Sequence, residues 1–285
     1  MMVTFEQRVS TFRSEAKRFQ EYLKGLPEDA WDKQSACDEW KVADVVAHLV
    51  GNSEFYARTV TQGLQGNSSP PEGRPEAGTG HPSISSASLA KSSIEARERL
   101  GDQLLATFIE KDDALGDILS GLSPEDQAKP CYHPGSIVPA GNFVDLRFKE
   151  IVLHEWDIRS GIEDQVTLSP NSLESIVTLI CESFASGSVR WAFWAGEPLE
   201  KPVRYRFEVK EPELITAGIL VRGDAFRLEL SALAPADVTF RCDTNTFALM
   251  MYGRMPVQAA VESGQLEVEG DAQLAARFGQ WFKGI

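Results

Sequence analysis

The feature that most constrains this chain is a polar stripe inside an apolar segment. From Phe143 to Arg159 the sequence reads Phe-Val-Asp-Leu-Arg-Phe-Lys-Glu-Ile-Val-Leu-His-Glu-Trp-Asp-Ile-Arg. Wound as a helix at about 100° per residue, it brings Arg147, Glu150, His154 and Asp157 to one face, with Phe143 and Leu146 above them and Ile158 beside them. The remainder is apolar almost all the way round, the pattern of a buried helix. A buried carboxylate or imidazole is unfavourable unless it is paired, hydrogen-bonded or bound to a metal. The stripe therefore requires partners from elsewhere in the chain.

Other helices can supply them. Phe5, Val9, Phe12, Ala16, Phe19, Leu23 and Leu26 recur at alternating spacings of four and three, which predicts one amphipathic helix ending at Pro27. A second is predicted to begin after Trp40 and run to about Val60, with Val42, Val45, Val46, Leu49 and Ser53 on its inner face. The Gly-, Pro- and Ser-rich stretch 63–82 reads as a mobile loop, without the spacing of a phosphate loop. A long helical pattern follows over 83–119, with Gly101 as its candidate break. Pro130, Pro134, Pro139 and Gly141 punctuate a linker into the striped helix. Four long helices joined by loops predict a four-helix bundle over residues 1–165.

After Gly161 the pattern changes. Val203 to Val209 alternates apolar and polar, and Ile219–Val221, Phe226–Leu230, Val238–Cys242 and Leu266–Glu269 read as further strands of an antiparallel set. Helical stretches are predicted over 171–194, 244–252 and 271–282. Residues 166–285 are thus expected to form a small α+β domain.

A net charge of −14 and a pI near 4.8 exclude a basic footprint for nucleic acid or anionic membrane. No apolar run approaches the roughly 20 residues of a membrane helix, and residues 1–19 lack a signal-peptide core, so a cytoplasmic protein is expected, as a monomer or small homo-oligomer. The four cysteines form no CxxC pair and are expected to be free thiols, mostly buried.

Glu150 and His154 are one helical turn apart and can reach a single ion from one face. Of the four histidines, His48 is the best placed to add a third ligand, because it lies at the edge of the second helix's apolar stripe. Asp44, one turn earlier, is the candidate to hold the other nitrogen of His48. Two imidazoles and one carboxylate leave a fourth position open, which suits a catalytic divalent metal such as zinc. The competing reading is that Glu150 pairs with Arg147 or Lys149 and His154 makes a buried hydrogen bond. Secondary candidates are His133 at an entrance and Arg204, Arg206, Arg222 and Arg227 as carboxylate holders. His81, Glu155, Trp191 and Trp194 are expected to be solvated or structural.

The stretch from Ser35 through Cys37, Trp40 and Asp44 to His48, with Glu150-Ile-Val-Leu-His154-Glu-Trp156-Asp157 a hundred residues later, resembles the mycothiol-dependent maleylpyruvate isomerase family of the DinB-like superfamily. The C-terminal part, with Gly253-Arg-Met-Pro and Gly264-Gln-Leu-Glu-Val-Glu-Gly-Asp, resembles a sterol-carrier-protein-like domain. The resemblance implies a metal on His48, Glu150 and His154, and orienting work for Asp157. It implies a low-molecular-weight thiol such as mycothiol as cofactor or co-substrate, and a small unsaturated electrophile as its target. The metal would favour the thiolate, which adds to a conjugated cis double bond; rotation and elimination give the trans isomer, or the adduct is released as in an S-transferase. Arg147, or an arginine of the second domain, is the candidate to hold a substrate carboxylate. Two alternatives remain: a metal hydrolase with Asp157 as base, and a non-catalytic binder of an apolar or lipid ligand.

Overall fold

Thr4 starts the first helix, accepting the Gln7 amide while the Gln7 side chain accepts from Thr4 N–H. The computed structural model describes residues 3–79, 82–185, 193–210, 215–229 and 234–283. It falls into two compact units, Met1–Ser172 and Leu173–Ile285. His81 and Trp191 lie outside the described residues.

In the first unit α1 (Phe5–Lys24), α2 (Val42–Leu64), α4 (Leu104–Ser120) and α6 (Phe143–Ser160) pack as a four-helix core, α1 and α2 each against both α4 and α6. The pattern over 83–119 is two helices, not one. α3 (Pro82–Leu100) lies against α2, and the chain turns at Gly101, φ +49°, into α4. After the short α5 (Pro124–Gln127), the expected linker contains a hairpin of β1 (Pro130–His133) and β2 (Ser136–Pro139). Gly63 lets this hairpin close on α2, because a Cβ there would stand 2.3 Å from Cys131 Sγ. The 63–79 stretch forms no helix or strand beyond the end of α2 and is tied to the hairpin by Tyr132 Oη donating to Pro75 O (2.8 Å) and Gly78 N–H to Pro134 O (2.8 Å).

The second unit begins within α7 (Pro170–Ala185) and is built on a sheet ordered β5-β4-β3-β6-β7: β3 (Val203–Lys210), β4 (Ile215–Val221), β5 (Phe226–Glu229), β6 (Val238–Asp243) and β7 (Leu266–Gly270). The set is mixed rather than antiparallel. From edge strand β5 the chain crosses to the far side of β3, so β6 enters parallel to β3, Phe207 opposite Phe240. α8 (Thr244–Met251), α9 (Val257–Glu262) and α10 (Ala272–Trp281) complete the unit, with α8 and α10 packed on the sheet. One face of the sheet holds a ring cluster, Tyr205, Phe207, Phe240, Phe247 and Phe278, with neighbouring centroids 5.2–5.9 Å apart. Each buried ring contributes about 1.5–3 kcal/mol. Among the described residues no helix is long and apolar enough to cross a membrane.

α6 is the axis of the first unit. Arg147, 0 % exposed, is held by Asp112 of α4, 1 % exposed, at 3.0 and 2.8 Å. Glu155 is buried against Arg18 of α1, which also holds Glu15. Glu155 is therefore not the solvated charge its neighbours in sequence suggest, because α1 brings a cation to it from 137 positions away. Replacing Asp112 by Ala leaves the Arg147 guanidinium buried without a counter-charge, and should lower unfolding free energy by about 3–5 kcal/mol in urea titrations; a loss below about 1 kcal/mol would show that the pair is not what holds α4 to α6.

Candidate metal centre

The C-terminal end of α6 is docked by the chain that precedes α2. Gly161 caps the helix and admits the preceding chain, because Gln34 O would stand 2.1 Å from any Cβ there. Ala36 N–H donates to Asp157 O at 2.8 Å. Gln34 Nε2 then donates to Cys37 O (2.8 Å) and Trp40 O (2.9 Å), while Ser35 Oγ donates to Trp40 O (2.7 Å) and accepts Cys37 N–H (3.1 Å). These bonds fold 34–40 into a tight turn that delivers Cys37 and Trp40 to the end of the polar stripe.

Three side chains converge there. Glu150 Oε2 lies 3.2 Å from His48 Nε2 and 3.4 Å from His154 Nε2. The imidazole rings stand 4.9 Å apart at 74°, and the Trp40 ring covers that of His48 at 4.9 Å and 31°. His154 Nδ1 is 2.9 Å from Asp157 Oδ2, which orients the ring and leaves Nε2 aimed at Glu150. The Glu150 side chain keeps 20 % exposure and the two histidines 12 and 11 %, so one side of the cluster opens to solvent.

The donor set fits a small divalent cation. Bonds of about 2.0–2.1 Å to imidazole and carboxylate at tetrahedral angles put neighbouring donors about 3.4 Å apart. Both spacings to Glu150 Oε2 are close to that edge, and the three donor atoms all lie within 4.8 Å of one another. Without a cation the same atoms bond to each other. Burial alone raises the Glu150 carboxyl, but the hydrogen bonds from His154 and His48 outweigh it and hold the group well below the carboxylate range. Burial lowers His154, yet bonding to Asp157, Cys37 and Glu150 holds it well above the ordinary imidazole value. For His48 burial prevails over the bond to Glu150 and the value falls.

Several expected roles change. Arg147 does not face the opening: beyond Asp112, its Nη1 donates to Asn52 Oδ1 (2.8 Å) and Leu49 O (3.3 Å), so a substrate carboxylate has no route to it. Asp44 does not hold His48; it accepts Lys41 N–H at 2.9 Å at the start of α2 and meets Arg97 of α3 at 2.7 Å. Asp157, 1 % exposed, is bound to His154 and is not free to act as a base on water. In the second unit Arg204 and Arg227 pair with Glu229 at 2.8 and 2.7 Å, and Arg206 donates to Ala234 O at 2.7 Å. Phe193 stacks in a cluster with Phe226 and Phe282, and Lys283 covers Trp194.

Two neighbours of the cluster were not singled out in the sequence. Cys37 comes within 4.8 Å of donor atoms of His154 and Asp157. Tyr56, one turn past Asn52 on α2, lies near enough to Glu150 for that charge to raise its hydroxyl value, after burial, which raises it most. The one signal for Cys37 is its place within the turn that leads to the His48 helix, which carries no periodicity. His133, on the hairpin, is half-buried, its ring 6.2 Å from Tyr56 and 6.4 Å from Phe143.

A helical unit gathering two histidines and a glutamate, followed by an α+β unit of mixed sheet and packed helices, defines a two-part class of chain. Residues 12–159 match the family described as the mycothiol maleylpyruvate isomerase N-terminal domain, and 194–283 match the SCP-2 sterol transfer family. The chain belongs to the mycothiol-dependent maleylpyruvate isomerase family. Its fold is similar to the crystal structure of the mycothiol-dependent maleylpyruvate isomerase, with a TM-score of 0.61 and 14 % identity over 94 % of this chain and 95 % of that one. A mutant of that enzyme with one histidine replaced by alanine matches with a TM-score of 0.62 at the same identity and coverage. No curated protein matches the chain in sequence. At this identity the likeness establishes a shared fold.

Burial pushes the His133 imidazole from the ordinary 6.5 down to about 4. The folded chain thus keeps this ring neutral while the unfolded chain protonates it near 6.5; its contribution to stability is present above that value and lost as pH falls toward about 4. His133→Phe should shrink the difference between urea midpoints measured at about pH 7 and about pH 4.5, and an unchanged difference would contradict the burial of this ring.

Proposed function

We propose that His48, Glu150 and His154 hold a divalent metal, zinc, and that the protein is a thiol-dependent isomerase of a small, anionic, unsaturated electrophile. The observation that carries this reading is that two Nε2 atoms each lie at tetrahedral edge spacing from one carboxylate oxygen, with one side of the cluster open. A cation there stabilises the thiolate of a bound thiol at neutral pH, supplying the nucleophile for reversible addition to a cis double bond.

The chain's own residues do the rest. Asp157 fixes the tautomer and direction of His154 through Nδ1, as carboxylate partners of metal-binding imidazoles do. Trp40 lies over His48, limits its rotation and covers one side of the cluster with apolar surface. Tyr56 and His133 line the side of Glu150, where a substrate would sit. The four free cysteines accord with a cytoplasmic setting, the reducing compartment in which a low-molecular-weight thiol is abundant. The same site serves an S-transferase if the adduct is released before rotation and elimination. Neither alternative has comparable support: Asp157 is engaged with His154, which removes the base of a hydrolase, and aromatic rings fill the sheet face that an apolar ligand of the second unit would need.

The test is metal content together with turnover of maleylpyruvate in the presence and absence of mycothiol. About one zinc per chain is expected, with isomerisation dependent on the thiol. His154→Ala should lose both. Asp157→Asn should keep the three ligands yet weaken zinc affinity about 10- to 100-fold, measured by chelator competition. Native thiol-dependent turnover in His154→Ala would overturn the reading.

A further inference from the structure

His154 belongs to two groups of donor atoms. Its Nε2 lies 3.4 Å from Glu150 Oε2 in the cluster with His48, while its Nδ1 lies 2.9 Å from Asp157 Oδ2. With Asp157 comes Cys37: the thiol sulfur, a ring nitrogen of His154 and a carboxylate oxygen of Asp157 all lie within 4.8 Å of one another. His154 and Asp157 are buried and Cys37 is half-buried, so the thiol is the member of this second group that solvent reaches. The main chain sets its place. Ala36 N–H donates to Asp157 O (2.8 Å), which pins the turn 34–40 to the residue that faces the ring. Cys37 N–H donates to Ser35 Oγ (3.1 Å) and Cys37 O accepts from Gln34 Nε2 (2.8 Å), which leaves the side-chain torsion to set where the sulfur points.

A thiolate, a carboxylate and an imidazole nitrogen make a softer donor set than two imidazoles and a carboxylate, and sulfur selects thiophilic cations. Bonds of about 2.3 Å to sulfur and about 2.0–2.1 Å to nitrogen or oxygen at tetrahedral angles put sulfur about 3.5 Å from its neighbours. Since the sulfur already lies within 4.8 Å of both, a shift of at most about 1.3 Å per contact closes the group on a cation. The two groups compete for one ring. A neutral imidazole has a single bare nitrogen. A cation on Nδ1 leaves the proton on Nε2, where Glu150 accepts it, and a cation on Nε2 leaves the proton on Nδ1, where Asp157 accepts it. Filling one group therefore takes a ligand from the other.

We propose that Cys37, His154 Nδ1 and Asp157 form a second cation site, for a thiophilic divalent ion such as cadmium, and that filling it disables the first by turning His154 Nε2 from a ligand into a hydrogen-bond donor. Binding to the zinc-loaded chain releases the thiol proton to solvent, moves the ring proton from Nδ1 to Nε2 and frees the zinc, with nothing oxidised or reduced. The second site needs neither zinc nor a low-molecular-weight thiol; only the competition rests on the proposed function.

Cadmium is the probe, titrated into the zinc-loaded and the metal-free chain. The ultraviolet thiolate-to-cadmium charge-transfer band reports the sulfur, and elemental analysis after gel filtration reports the zinc retained. The native chain should develop the band up to about one cadmium and lose about one zinc as it does. Cys37→Ser should show no band and bind cadmium at least about tenfold more weakly, while still taking up about one zinc. His48→Ala, with helical circular dichroism as in the native chain, should take up no zinc yet keep the band, since His48 is not a member of the second group. No band in the native chain, a band that survives Cys37→Ser, or a band lost in folded His48→Ala would each overturn the site; the last would make the sulfur a ligand of the first cluster. A full band with the zinc retained would overturn the competition. A Cys37-dependent band in a chain that takes up no zinc would leave the second site standing and remove the first, and zinc- and thiol-dependent turnover without a band would do the reverse.

Discussion

The first unit depends on keeping ionised groups inside a helix bundle. α6 carries acids, bases and a histidine through a core of phenylalanine, valine and leucine side chains, and a buried charge is tolerated only where a partner reaches it. Each neighbouring helix brings one such partner: α1 brings Arg18 to Glu155, α4 brings Asp112 to Arg147, and α2 brings His48 to Glu150. Since removing one member of a buried pair is far more damaging than losing a surface ion pair, these contacts select how the helices are arranged around α6.

The same requirement separates the charges that only join helices from the one at the proposed site. Arg147 and Glu155 are satisfied by charges of fixed geometry and have no exposed side. Glu150 is held by two imidazoles on lone pairs that a cation would also use, and its side of the cluster opens outward. Their hydrogen bonds hold its carboxyl ionised despite burial, the protonation state that a metal ligand needs. Asp157 orients His154 through Nδ1, whereas Asp44 is engaged with Lys41 and Arg97 and the His48 ring lies against that of Trp40.

How much of this was legible follows from the range of each interaction. The convergence of Glu150 and His154 follows from helical periodicity, and the convergence of His48 on them from its place at the border of an amphipathic stripe. The two-part architecture was legible from the change of period after Gly161. What escaped was set by distant partners: that Asp112, on a helix read mainly for its leucines, takes Arg147, and that Arg18 takes Glu155. Cys37 escaped because its place is decided by side-chain bonds of Gln34 and Ser35 within an irregular turn, which leave no periodic trace. The parallel pairing of β3 with β6 depends on the path of a crossover, and strand patterns alone do not carry direction.

The central claim is an open cation site on His48, Glu150 and His154 whose remaining position accepts sulfur. X-ray absorption at the zinc edge, recorded on the zinc-loaded protein before and after adding mycothiol, tests it most directly. Nitrogen and oxygen scatterers at about 2.0–2.1 Å are expected alone at first, joined by one sulfur at about 2.3 Å when the thiol is present. A sulfur shell already complete without the thiol, as a Cys37 ligand would give, or a spectrum that the thiol leaves unchanged, would contradict it.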